Sequence, residues 1–171
     1  MDEELYMARC RLQLDRQPVN LVLTKGDAWV MLTSIQLATK HPQLKGCKIL
    51  AKASEAGKII QPLVVGNSQA LGEVASCGWS SKKPQHSFHE FNNDFQKVMS
   101  EEINFQFFKE QIYCVLVACQ LAARNTKYMN TEVAQVAKDI CDEWMALIPE
   151  TILKTVLYTG WDTRLDLLID N

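Results

Sequence analysis

The fold is decided by the stretch Ile112-Tyr113-Cys114-Val115-Leu116-Val117-Ala118-Cys119, the most apolar part of the chain. It carries no charged residue, and Gln111 and Gln120 stand at its two ends. A helix that is apolar on all sides has to be buried on all sides, so we predict a central, buried helix over residues 105–124. The stretch is far shorter than the ~20 residues that cross a bilayer, and we expect no membrane partner.

The residues on either side of this helix also show helical patterns. Apolar residues at helical spacing predict a helix over 88–103, and Asn130 can cap the next one. Pro149 is placed to open a further helix, which Gly160 would end. We therefore predict that residues 88–171 form a bundle of about four helices.

The N-terminal residues follow a different pattern. Residues 6–14 alternate between polar and apolar side chains, and the alternation resumes at Val19 after a turn at residues 15–18. A period of two is typical of half-buried strands, and a four-residue loop between two such runs predicts a β-hairpin. An isolated hairpin is marginal in water, so we expect this one to pack on helices.

Two helices are predicted to follow the hairpin. Thr24 and Asp27 have the spacing of a capping box, which would start a helix there. That helix should end at His41, because the residue before a proline is pushed out of the helical region. A second helix is predicted from about Leu44 to Ile60.

A long connection separates the two halves of the chain. Gly and Pro recur between residues 61 and 87, where we predict a short strand at 63–65 and a short helix near 69–76. We therefore divide the chain into a hairpin with two helices (1–60), the connection (61–87) and the helical bundle (88–171). Together they predict one compact α+β domain that is predominantly α-helical.

Length and composition exclude several classes of protein. A chain of 171 residues with 47% hydrophobic residues suits one globular domain, and excludes a disordered tail, a collagen-like fibre or a small disulfide scaffold. The 18 basic and 20 acidic residues leave a net charge of −2. A domain dedicated to nucleic-acid binding is usually strongly basic, so the composition does not indicate one.

The start of the chain and its cysteines bear on the compartment. The chain opens on Met1-Asp2-Glu3-Glu4, without the basic and apolar regions of a signal peptide. Its six cysteines do not have the spacing of a disulfide framework. We therefore expect a reduced protein of the cytoplasm.

Two groups of residues could carry chemistry. Cys77, His86 and His89 are of zinc-ligand type, but no C-x2-C pair accompanies them and their spacing matches no common zinc motif. Ser68 follows an apolar run and Gly66, loosely like the turn that exposes a nucleophilic serine, although that turn needs a many-stranded parallel sheet. Solvated histidines and an ordinary turn are the more frequent explanations of such patterns. We expect no cofactor and no bound metal.

Charge is unevenly distributed along the chain. Residues 40–58 contain five lysines and one acid, whereas residues 130–171 contain eight acids and three basic residues. Lys45, Lys48 and Lys52 fall on one side of their predicted helix. Such a stripe can bind a phosphate backbone or an acidic protein surface, and it can also be an ordinary solvated face. A further interpretation is that the basic and acidic helices meet between two copies of the chain.

Three functions are compatible with these patterns. The first is a non-enzymatic adaptor or accessory subunit that binds another protein or forms a homo-oligomer. Its predicted binding residues are the lysine stripe, two arginines on the outer face of the hairpin and a C-terminal tryptophan: Lys45, Lys48, Lys52, Arg9, Arg11 and Trp161. The second is a nucleic-acid-associated subunit that uses residues 40–58. The third is a small hydrolase or zinc-binding protein, centred on the serine or on the cysteine and histidines named above.

Overall fold

The computed structural model describes residues 3–40, 48–66, 99–123 and 132–150. Within these ranges the chain forms five helices and two strands. In chain order they are α1 (Glu3–Leu14), β1 (Val19–Thr24), α2 (Lys25–Thr39), α3 (Lys48–Val65), β2 (Glu102–Phe107), α4 (Lys109–Ala123) and α5 (Glu132–Met145). The molecule is mostly helical, with a small antiparallel sheet packed on helices, which confirms the predicted α+β class.

Helix α4 lies at the centre of the core, as its sequence predicts. All side chains from Ile112 to Cys119 are buried. Helices α4 and α2 pack against each other, and each of them also packs against α3 and α5. Because α3 and α5 make little contact with each other, they lie on opposite sides of the α2–α4 pair. None of the described helices is long and apolar enough to span a membrane.

The two strands pair antiparallel, with Val19 opposite Phe107. Alternate residues of both strands are buried against the helices; they are Leu21, Leu23, Ile103, Phe105 and Phe107. The ring centroids of Phe105 and Phe107 each lie 6.2 Å from that of Trp144 on α5. The buried face of the sheet therefore belongs to the same core as the helices.

The first strand of the predicted hairpin is wrong, because residues 3–14 form helix α1. Helix α1 buries Ala8 and Leu12, whereas Leu14 is 80% exposed. Residues four apart share one side of a strand and also one side of a helix, so the buried pair fits both structures. A strand would have buried Leu14 together with Leu12, and its exposure follows from the helical period. The second strand of the hairpin is confirmed as β1.

The partner of β1 lies in the C-terminal half of the chain, where we predicted only helices. Residues Glu102–Phe107 form β2 instead of joining the helices predicted over 88–103 and 105–124. Polar and apolar residues alternate along β2, which is the pattern of a half-buried strand, but the helical pattern of its neighbours hid it. Most of the predicted 88–103 helix, the one near 69–76 and the one after Pro149 lie outside the described residues.

The predicted strand at 63–65 is also wrong, because α3 continues to Val65. Pro62 lies in the last turn of α3 and is exposed. Because proline has no backbone N–H, the carbonyl four residues earlier lacks its helical hydrogen bond, and water can reach it instead. The helix ends at Gly66, whose φ of 53° lies in the left-handed region and whose N–H donates to the Pro62 carbonyl (2.9 Å). The boundary that we drew at residue 61 therefore falls inside a helix.

Helices α2 and α5 form where the sequence predicts helices. Thr24 caps α2, and its hydroxyl accepts a hydrogen bond from the backbone N–H of Asp27 (3.1 Å). Helix α2 packs closely on α3 at Gly57, where a Cβ atom would lie only 3.3 Å from Cδ2 of Leu32. The absence of a side chain at Gly57 thus lets the two helices approach each other.

Candidate binding surface

The outward side of α3 carries two exposed apolar side chains in line with two lysines. Lys48, Lys52, Ile59 and Leu63 are separated by four or seven residues, so they form one line along the helix. The buried side of α3 lies next to this line and carries Ile49, Ala53, Ala56, Ile60 and Val64. Ile59 is 44% exposed and Leu63 is 38% exposed. We call the four outward residues the α3 ridge; its first half is basic and its second half is apolar.

The chain itself compensates part of the basic charge of the α3 ridge. Lys52 Nζ donates a hydrogen bond to Oε1 of Glu110, in the first turn of α4. The side chain of Glu110 is only 12% exposed, and Arg16 Nη1 lies 4.0 Å from its Oε2. Lys52 therefore holds α3 against α4 in addition to contributing surface charge. Lys45, the third lysine of the predicted stripe, lies outside the described residues.

A second group of charged residues holds the turn after α1 on the start of α4. Lys109 Nζ lies 3.1 Å from Asp15 Oδ2, and the Arg16 guanidinium lies 5.5 Å from the centroid of the Phe108 ring. The pKa of Asp15 is lowered, first because its carboxylate accepts a hydrogen bond from the Gln17 N–H (3.0 Å) and then because Lys109 is adjacent. These charged groups have partners within the chain, which is the arrangement of a structural contact.

Lys25 holds together two parts of the chain that are far apart in sequence. Its Nζ lies 2.8 Å from Oε2 of Glu101, and its backbone N–H donates to the Glu101 carbonyl (2.8 Å). At the end of α3, a Cβ atom on Gly66 would lie 3.8 Å from Lys25 Nζ, and a Cβ atom on Gly26 would lie 3.3 Å from the Met99 carbonyl oxygen. Gly66 and Met99 therefore both lie near the first turn of α2.

The outward side of α5 is acidic. Asp139, Asp142 and Glu143 are exposed, and Gln135 Nε2 donates a hydrogen bond to Asp139 Oδ1 (3.0 Å). Ala146, one turn beyond Asp142, is exposed as well. We call Asp139, Asp142 and Glu143 the α5 acidic face. The helices that carry the α3 ridge and the α5 acidic face lie on opposite sides of the α2–α4 pair.

Two cysteine side chains meet in the core between α4 and α5. The thiols of Cys119 and Cys141 form a hydrogen bond, and each residue is 2% exposed. This hydrogen bond raises the pKa of the Cys141 thiol, and burial and the nearby Asp142 carboxylate raise it further. A thiol that is held protonated in a dry core is a poor nucleophile and a poor metal ligand. Within the described ranges, no three side chains of metal-binding type come together.

The predicted site residues are distributed over several parts of the molecule. Lys48 and Lys52 lie on the α3 ridge. Arg9 and Arg11 belong to helix α1 and not to a strand of a hairpin. The remaining candidates lie outside the described residues; they are Lys45, Ser68, Cys77, His86, His89 and Trp161.

Sequence reasoning missed the apolar half of the α3 ridge. Ile59 and Leu63 are four residues apart and lie at the edge of the buried stripe of α3. The helical period places them there, and a residue at the edge of a buried stripe is exposed unless another element covers it. The lysine pattern predicted a charged surface on this helix but not the exposed apolar residues beside it.

Comparison of the chain with family models, with curated proteins and with solved structures gave no match.

Proposed function

We propose that this chain is a non-enzymatic adaptor or accessory subunit that binds another protein through the α3 ridge. The observation that supports this most is that Ile59 and Leu63 are exposed side by side, in line with Lys48 and Lys52. Full burial of an Ile or Leu side chain contributes ~1.5–3 kcal/mol. Somewhat less than half of each residue is exposed, so a partner that covers them gains roughly 1 kcal/mol from each.

The chemistry of the α3 ridge indicates the chemistry of its partner. Lysines beside an apolar patch attract carboxylates and repel basic proteins. The expected partner therefore presents an apolar surface next to Asp or Glu side chains. Lys52 contributes less to this attraction than its exposure alone indicates, because Glu110 compensates its charge.

Nucleic-acid binding through residues 40–58 is the alternative that the same lysines indicate. Binding to phosphates uses several cations and weakens steeply as the salt concentration rises. The apolar half of the ridge favours a protein partner, because Ile59 and Leu63 have no group that can bind a phosphate. The hydrolase or zinc-binding protein centred on Ser68, or on Cys77 and the two histidines, stays a prediction, because those residues lie outside the described part of the chain.

We further propose that the protein works in the cytoplasm. Cys10, Cys119 and Cys141 are free thiols in the structure. Free thiols persist in reducing compartments, whereas oxidising compartments favour disulfides. The cysteines therefore support a cytoplasmic location.

Affinity capture tests the proposed protein binding. The tagged chain and its Ile59→Ser, Leu63→Ser double variant capture proteins from the native cell, with and without nuclease, and mass spectrometry identifies what is bound. Leu14→Ser, which removes an exposed apolar side chain from α1, is the matched control. We expect the native chain and the control to capture a set of proteins that the double variant loses and that nuclease leaves unchanged.

Thermal unfolding of the same proteins separates a loss of binding from a loss of folding. Substitutions at exposed positions usually change stability by less than about 0.5 kcal/mol, so all three proteins should unfold at nearly the same temperature. Identical capture by the native chain and the double variant would contradict binding through the α3 ridge. Capture that nuclease abolishes would favour the nucleic-acid alternative instead.

A further inference from the structure

We infer that the α3 ridge binds a second copy of this chain, which presents its α5 acidic face. This inference rests on the proposed function and names the occupant of the ridge. The two surfaces cannot meet within one molecule, because α3 and α5 lie on opposite sides of the α2–α4 pair. Since each copy uses a different surface toward each neighbour, the association is head to tail.

The charges of the two surfaces are complementary. The outward side of α3 carries three lysines and one acid, which are Lys48, Lys52, Lys58 and Glu55. The outward side of α5, where its side chains are described, carries three acids and one lysine, which are Asp139, Asp142, Glu143 and Lys138. The outward side of α3 is therefore net positive and the outward side of α5 is net negative. Each surface attracts the other and repels a second copy of itself.

The spacing of the charges along the two helices also agrees. Lys48 and Lys52 are four residues apart on α3, and Asp139 and Glu143 are four residues apart on α5. If the two helices lie side by side, each of these lysines can therefore meet one of these carboxylates.

Contacts within the chain set the expected strength of this association. Lys52 is already bound to Glu110, and ion pairs between exposed groups are individually weak. We therefore expect self-association that increases with protein concentration and weakens as salt screens the charges. A head-to-tail contact forms rings or open chains, so species larger than a dimer should appear as the concentration rises.

Sedimentation velocity on the purified full chain, from micromolar to near-millimolar concentration and at low and high salt, measures this directly. Two double variants reverse charges on the exposed side of one helix each: Lys48→Glu with Lys58→Glu on α3, and Asp139→Lys with Asp142→Lys on α5. All four residues are exposed, so circular dichroism should show an unchanged fold. Each double variant alone should self-associate at least ~10-fold more weakly than the native chain.

Sedimentation of a mixture of the two double variants is the most specific test of the inference. Each variant keeps one native surface, and its reversed surface is complementary to the reversed surface of the other, so an equimolar mixture should regain self-association. Glu3→Lys with Glu102→Lys is the matched control, because both residues are exposed and the change in net charge equals that of the α5 variant. This control leaves both surfaces intact and should associate like the native chain.

Several outcomes would overturn the inference. The inference is wrong if the native chain sediments as a monomer under all conditions. It is also wrong if the charge reversals have no effect on self-association, or if the folded variants do not associate when mixed. If a reversal unfolds the chain, Lys48→Gln with Lys58→Gln and Asp139→Asn with Asp142→Asn give the same test with a smaller expected loss. A monomeric native chain that still captures other proteins through Ile59 and Leu63 would leave the proposed function intact and refute only the second copy as its partner.

Discussion

Replacing Phe107 with alanine tests whether residues 102–107 form a strand with alternate side chains in the core. Phe107 is 1% exposed, and its ring centroid lies 4.9 Å from that of Phe105. It also meets the ring of Trp144 edge-on, at an interplanar angle of 89°. Removal of the ring therefore leaves a cavity where the sheet contacts α5, and it removes two aromatic contacts.

The expected cost follows from this burial. Phe→Ala in a packed core costs about 3–5 kcal/mol, which includes the lost transfer free energy and the cavity. Aromatic pairs contribute about 0.5–1.5 kcal/mol of such a loss. In a chain of this length each kcal/mol lowers the melting temperature by about 2–4 °C, so we expect a fall of roughly 6–20 °C.

Gln106→Ala is the matched control, because Gln106 is next to Phe107 in sequence but lies on the opposite face of the strand. Gln106 is exposed, and its side chain donates one exposed hydrogen bond to Asn20 Oδ1 (2.7 Å). Its loss should cost less than about 0.5 kcal/mol. Urea and thermal unfolding followed by circular dichroism measure both variants. Equal effects of the two substitutions, or a cost below about 1 kcal/mol for Phe107→Ala, would refute the alternation assigned to β2.

Two other changes have effects that the structure specifies. Gly57→Val should lower the free energy of unfolding by about 1–3 kcal/mol, because a side chain at this position displaces Leu32. The matched control is Ala51→Val on the exposed side of the same helix, which should lower it by less than about 1 kcal/mol. Equal losses in chemical denaturation would contradict close packing of α2 on α3. The folded chain holds the pKa of Cys141 above its ordinary value of 9.0, so the unfolded chain loses that proton first as the pH rises. Urea unfolding should therefore show a loss of about 1.4 kcal/mol from about pH 8 to about pH 10, and a Cys141→Ala variant with the same pH slope would contradict it.

The successes of sequence reasoning were local. A capping residue at Thr24 starts α2, and the apolar run from Ile112 marks the buried centre of α4. Both depend on residues within a few positions of each other, so their physical cause is contained in the local sequence. The first strand of the hairpin was predicted wrongly because its buried residues fit both the period of a strand and the period of a helix. Ala8 and Leu12 are four apart, a spacing that buries them together in a strand and in a helix alike.

The candidate surface divides in the same way. The lysines of the α3 ridge and the acids of α5 were visible as charge runs in the sequence. That Lys52 binds Glu110 was not visible, because the two residues are 58 positions apart and meet only when α3 packs on α4. The pairing decides how much of the charge of Lys52 remains for a partner.

By itself the sequence determined that α4 is buried, that α2 begins at its capping residue and that positive and negative charge concentrate on different helices. An apolar segment with no polar side has one favourable environment, and a cap acts within one turn, so neither depends on the rest of the fold. Only the tertiary structure decided that β1 pairs with β2 and that the helices carrying the α3 ridge and the α5 acidic face lie on opposite sides of the α2–α4 pair. These depend on contacts between distant residues, which compete for the same core and are not encoded in the period of any one segment.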